Sequence, residues 1–154
     1  MNNANNIIAA IGNTPLIRLK RLPSAHSAEI WVKWEGANPT GSMKDRMALS
    51  MIEGAEKRGE LRHGGRVVEY TGGSTGSSLA MVCAAKGYSA HMVSSDAFSE
   101  EKIMTMRAFG ATVEIITSED RKITAELIQA MIDRARELAK EPNTFWTDQF
   151  NNLD

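Results

Sequence analysis

The chain has 154 residues, 42% of them hydrophobic and 24% charged, a composition that suits one domain with a sizeable core. With 18 Lys+Arg against 19 Asp+Glu the net charge is -1, so no charged field points to nucleic acid or an anionic membrane. The apolar runs are too short to span a bilayer, no secretory signal opens the chain, and a single cysteine excludes an internal disulfide, so a cytoplasmic location is expected.

In chain order, Met1 to Asn6 is polar and expected to fray, and Asn6 is placed to cap an apolar turn from Ile7 to Ile11. Gly12-Asn13-Thr14-Pro15 reads as a turn, and Leu16 to Leu19 as a strand. A polar connection from Pro23 to Ser27 leads to a second β-rich run, Glu29 to Trp34. Asn38 to Arg46 is a turn-rich loop entering a helix, with Ser42 and Asp45 spaced as a capping box. Met43, Met47, Met51, Ile52 and Ala55 recur at helical spacing behind it, and Gly59 is the stop.

Strand and helix then alternate. Arg66–Tyr70, Ala90–Val93 and Thr112–Ile116 read as strands, with Phe145 and Trp146 in a last short one. The helices between them are Ser74–Lys86 stopped by Gly87, Ser99–Phe109 capped by Ser99 and stopped by Gly110, and Thr124–Lys140. The last presents Leu127, Ile128, Met131, Ile132, Ala135 and Leu138 on one face. Such alternation predicts an α/β fold, a small parallel sheet with helices on its faces and right-handed crossovers.

Two stretches can carry chemistry. Lys44 falls in the first turn of its helix, where the macrodipole disfavours a cation. A neutral amine is the form that attacks a carbonyl, and a solvated lysine that merely tolerates its place is the plain alternative. Thr71-Gly72-Gly73-Ser74-Thr75-Gly76 joins a strand to a helix, where glycines and free N–H groups suit a carboxylate or phosphate. A tight turn with hydroxyl caps explains the same residues. The glycine spacing is not the dinucleotide fingerprint, and Ser42-Met43 stands where a P-loop requires Lys-Ser/Thr. Cys83 lies in an apolar helix segment and reads as a buried thiol. His26, His63 and His91 show no metal spacing. Glu56-Lys57-Arg58 and Arg134 to Glu137 read as solvated faces, and Asp45 with Arg46 as a local ion pair.

Five segments together resemble the first half of the cysteine synthase and cystathionine β-synthase family of pyridoxal-phosphate enzymes (fold type II, tryptophan synthase β-like). They are Gly12–Leu16, Asn38–Arg46, Thr71–Gly76, Lys86-Gly87-Tyr88 and Asp148–Asn152, in family order over almost the whole chain. The resemblance implies that Lys44 holds pyridoxal 5'-phosphate covalently and shuttles the α-proton. It implies that Thr71, Gly72, Ser74, Thr75 and Gln149 line the carboxylate site of an amino-acid substrate, with Ser74 also near the cofactor. The implied chemistry is β-elimination and β-replacement, in which an activated serine such as O-acetylserine, or serine itself, exchanges its β-substituent for a sulfur nucleophile. A homodimer is the implied full-length form.

Two departures qualify that picture. Gly72 stands for the family serine and Ser74 for the family asparagine, which puts substrate preference in question. The family also continues into a second half that grips the cofactor phosphate. The expected division is therefore 1–42, strands that pack on a second domain which this sequence does not carry; 43–147, a small three-layer α/β domain; and 148–154, the start of the connection onward. Such a chain is expected to be inactive alone and to self-associate or pair with a missing partner. A non-catalytic interaction remnant and a small-anion or nucleotide binder are the alternatives.

Overall fold

The computed structural model describes residues 5–24 and 26–154. Residues 1–4, expected to fray, and residue 25 of the polar connection lie outside them. Asn6 caps as expected, its side chain accepting from the N–H of Ala9 at the head of a 3-10 turn, Ile7–Ala10. β1 (Leu16–Arg18) and β2 (Trp31–Lys33) form an antiparallel pair in which every residue is exposed. α1 (Lys44–Arg58) follows, then β3 (Arg66–Tyr70), α2 (Ser74–Lys86), β4 (Ser89–Ser95), α3 (Glu100–Ala108), β5 (Thr112–Ile116), α4 (Ala125–Leu138) and β6 (Thr144–Trp146). Gly59 and Gly87 end α1 and α2 in the left-handed region, at φ 74° and 81°, where any side chain is strained.

β3 to β6 make one wholly parallel sheet in the order β5-β4-β3-β6. Chain direction dictates which face each helix covers. β3, β4 and β5 step one way across the sheet, so right-handed crossovers put α2 and α3 on one face. The chain then returns past β3 to β6, which forces α4 onto the other. Two cores result. One holds Ile52, Val67, Leu79, Val82, Met92 and Met106 between α1, α2, α3 and the sheet. The second packs Leu127, Met131, Ala135 and Leu138 of α4 on Val68 and Val93. α2 lies between α1 and the sheet, and its run Leu79 to Cys83 is buried all round. Burial pushes the Cys83 thiol up to about 12, as a structural cysteine should show.

The start of α1 departs from expectation. Ser42 Oγ accepts from the N–H of Lys44 at 3.1 Å, but Asp45 does not return to close a capping box. Asp45 is fully buried and accepts from the Thr40 N–H at 2.8 Å, the Thr40 hydroxyl at 2.5 Å and the Ser78 hydroxyl of α2 at 2.5 Å. Three donors from two elements outcompete one backbone N–H. Nor do Asp45 and Arg46 pair. Arg46 instead forms a bidentate contact with Glu35, its Nε 2.7 Å from Oε2 and its Nη2 3.0 Å from Oε1. The guanidinium holds the Glu35 carboxyl down to about 2. Met43 lies outside the buried stripe at 58% exposure, because the helix begins only at Lys44.

Three smaller corrections follow. Ser99 sits at the head of α3 without a side-chain cap bond, whereas Thr124 does cap α4 by accepting from Leu127. Glu56 is not simply solvated, because it accepts from Lys86 Nζ at 2.9 Å and the Tyr88 hydroxyl at 2.8 Å. Arg134 reaches across to Glu114 of β5 at 2.7 Å.

Candidate active site

In an open parallel sheet, ligands bind beyond the carboxyl ends of the strands where chain order reverses. Here that point lies between β3, which the chain leaves through α2 on one face, and β6, which it reaches through α4 on the other. The loop 71–74 leaves β3 there, and residues 147–150 leave β6 beside it.

The local chemistry of the first loop is set by Thr71. Its hydroxyl oxygen accepts from the N–H groups of Gly73 and Gly76, both at 3.1 Å, drawing the loop into the head of α2. The N–H groups of Ser74 and Thr75, at the positive end of α2, meet no acceptor among the described residues. Opposite them, Gln149 is held on three sides. Its Oε1 accepts from the Thr75 hydroxyl at 2.6 Å, its Nε2 donates to the Tyr70 carbonyl at 3.2 Å, and its N–H donates to Glu69 at 3.0 Å.

Glu69 is the residue that joins the two loops from below. It is fully buried, and its carboxylate also accepts from the Thr147 hydroxyl at 2.5 Å and the Tyr70 N–H at 2.9 Å. Burial pushes it up to about 7, against the pull of these hydrogen bonds.

A cavity of about 320 Å³ opens at this point, and Thr71, Gly72, Ser74, Thr75 and Gln149 all line it. Sequence reasoning overlooked the rest of its wall, chiefly Tyr70, Phe98, Phe150, Ile128 and Met131. Phe150 adjoins Gln149 in the chain, which was a usable signal; Phe98 sits in a loop 26 positions beyond Gly72 and gave none. Lys44 is not on this wall. It is the first residue of α1, and its amine makes no hydrogen bond or ion pair among the described residues. The neighbouring Asp45–Ser78 bond fixes the head of α1 to the first turns of α2.

A family profile described as pyridoxal-phosphate dependent enzyme matches residues 7–154. The chain belongs to that family. Among pyridoxal-phosphate dependent relatives, it is 44% identical over 144 residues to cysteine synthase B of Escherichia coli, a match covering 94% of this chain and 46% of the relative. Its fold matches O-ureido-L-serine synthase with a TM-score of 0.88 at 38% identity, over 97% of this chain and 45% of that one. A hydrogen sulfide-producing enzyme from Fusobacterium nucleatum gives a TM-score of 0.87 at 40% identity, over 99% and 48%. The chain spans about half the length of the curated relatives it matches.

The family cofactor, pyridoxal 5'-phosphate, needs an amine for its aldehyde and N–H or hydroxyl donors for the anionic groups around it. The donor set here fits both needs. Lys44 offers an uncommitted primary amine, and Ser74 and Thr75 offer free N–H groups with hydroxyls beside them. No described helix is long and apolar enough to cross a membrane.

Proposed function

We propose that the chain carries the amino-acid half of a pyridoxal-phosphate site acting at the β-carbon, by elimination or replacement, of the cysteine synthase kind. The observation that carries this is the convergence of Thr71, Gly72, Ser74, Thr75 and Gln149 on one cavity with free N–H donors at its edge.

The roles follow from chemistry. Ser74 and Thr75 N–H groups, with the hydroxyl of Thr71, bind the substrate carboxylate as the end of a helix binds any anion. Gln149, fixed through Thr75 and Tyr70, sets the far side of that carboxylate and so the direction of Cα. Gly72 leaves its backbone N–H accessible at the loop crest. Lys44 Nζ is the amine that would hold the cofactor through its aldehyde and, once released by the substrate amine, would take and return the α-proton. Ser74 would stand beside the cofactor ring, with a shorter side chain than the family asparagine and so a weaker direct hold on it. When bound, pyridoxal phosphate supplies the electron sink for negative charge at Cα.

The substrate in this reading is an activated serine such as O-acetylserine, or serine itself, with a sulfur nucleophile as the second reactant. Residues 1–42 pack their exposed strands on a further domain that also grips the cofactor phosphate, residues 43–147 form the unit described, and 148–154 lead onward. The homodimer belongs to that fuller assembly.

The test is a pyridoxal-phosphate titration of the purified chain beside Lys44→Ala, read by visible absorbance and by mass after borohydride. A saturable band with the fixed mass on Lys44 supports the proposal. Equal, weak labelling of scattered lysines in both proteins overturns it and leaves a binding remnant. Stabilisation by nucleotides without colour would instead favour an anion-binding domain.

A further inference from the structure

Two unlike sets of residues line the cavity. One is the polar edge of N–H groups, hydroxyls and the Gln149 amide. The other is a wall of rings, Tyr70, Phe98 and Phe150, backed by Ile128 and Met131 of α4. Tyr70 and Phe150 stand 6.2 Å apart between centroids with planes tilted by 37°, inside the range of favourable aromatic pairs. Among the described residues no charged side chain lines the cavity.

Phe98 reaches this wall only because residue 72 is glycine. A Cβ built on Gly72 would lie 2.7 Å from Phe98 Cε1 and 2.9 Å from Cδ1, closer than carbon atoms approach. The requirement is steric, since Gly72 does not occupy the left-handed region. A serine at 72 would have to push the ring out of the cavity wall. The departure at Gly72 and the ring at Phe98 are thus one feature, made by residues far apart in the chain.

We propose that Gly72 and Phe98 act together as the specificity element of this site, which selects an amino acid whose side chain beyond Cβ is an uncharged apolar or aromatic body. The inference rests on the polar edge being the carboxylate site. A carboxylate held there directs the remainder of the molecule along the ring wall. A flat or aliphatic group gains contact with Phe98, Tyr70 and Phe150. A second charge would lose its water and find no partner. Phe98 thereby discriminates at the part of the substrate that departs or arrives, while the carboxylate contacts remain common to every amino acid.

Binding of four free amino acids to the purified chain tests this without cofactor, by isothermal titration. L-phenylalanine and L-norleucine should bind about tenfold more tightly than L-alanine, and L-aspartate more weakly than any of them. Phe98→Ala should remove that tenfold advantage and leave L-alanine within about twofold. Gly72→Ser should also remove the advantage of L-phenylalanine over L-alanine by displacing the ring, and the double variant should lose no more of that ratio than either single one. Phe98→Leu, which keeps an apolar side chain in the loop, should retain L-norleucine and lose L-phenylalanine, and it serves if the alanine variant fails to fold.

Equal affinity for L-alanine and L-phenylalanine, additive losses in the double variant, or no binding of any of the four overturns the inference. The outcomes separate from those of the cofactor test. Labelling at Lys44 without side-chain preference sinks this inference alone. A Phe98-dependent preference without Lys44 labelling sinks the reading of the chain as a pyridoxal-phosphate half-site and leaves this one standing.

Discussion

The two sheets of this molecule are built from similar residues and have opposite fates. β3 and β4 bury Val67, Val68, Met92 and Val93 completely between helices on both faces. β1 and β2 leave Leu16 59% exposed and Trp31 51% exposed, with Trp34 beside them at 54%. Strand-forming residues therefore do not by themselves decide burial; the crossovers do. Each parallel connection brings its own helix to cover the sheet, whereas the antiparallel pair has no described element laid over it. A polar clasp attaches the pair to the rest. The Thr14 hydroxyl donates to Glu35 at 2.5 Å, Arg46 holds both, and Lys33 Nζ donates to the Thr14 carbonyl.

The contrast is broken most forcefully by truncating matched residues. Met92→Ala should lower unfolding free energy by about 2–5 kcal/mol, and Val32→Ala should change it by no more than about 0.5 kcal/mol. Urea denaturation of both variants checks this; equal losses would mean the pair contributes to the same core.

The next effect is one of pH. Glu69 is raised from the ordinary 4.5 to about 7, so the folded state holds a proton that the unfolded state releases. Its contribution to stability is full below 4.5 and is lost as pH rises through 7, on the order of 3 kcal/mol in all. Carboxyls held low, such as Glu35, Asp96 and Glu114, act only below the ordinary value and in the opposite sense. Unfolding between pH 5 and 8 should thus show stability falling with pH, and Glu69→Gln should flatten that slope. No such fall in the native chain would place the proton elsewhere.

The clasp itself should matter less to global stability. Arg46→Ala should leave the main unfolding transition nearly in place while amides of Trp31–Lys33 exchange with solvent several-fold faster, since ion pairs this exposed add little. Smallest of all in stability is Trp31→Lys with Trp34→Lys. That pair of changes should leave the melting midpoint unmoved yet abolish the concentration-dependent self-association expected from an uncovered apolar strand pair. Sedimentation velocity decides it, and a monodisperse monomer before mutation would remove the premise.

The same contrast explains what the sequence disclosed. The α/β unit was legible almost strand by strand because periodicity and glycine stops are local signals. Gly59 and Gly87 end their helices where they were expected to, and the long helix expected from Thr124 begins there, at Ala125. The loop 71–76 was legible for the same reason, as a glycine-rich turn between strand and helix. What escaped depends on partners distant in sequence. Asp45 looked like half of a capping box until Ser78, 33 residues away, claimed it. Glu69 read as an ordinary member of a strand, although a carboxylate amid buried valines is itself a clue. Phe98 belonged to no motif and acquired its place only from the missing side chain at Gly72.

The lone thiol, Cys83, turns these relations into a clock. A thiol this buried and this hard to ionise is inert to alkylating reagents until α2 parts from both α1 and the sheet. Its rate of modification in native buffer therefore counts how often the whole α/β unit opens, with no denaturant. Any small molecule that settles at the head of α2 should slow that clock in proportion to its occupancy.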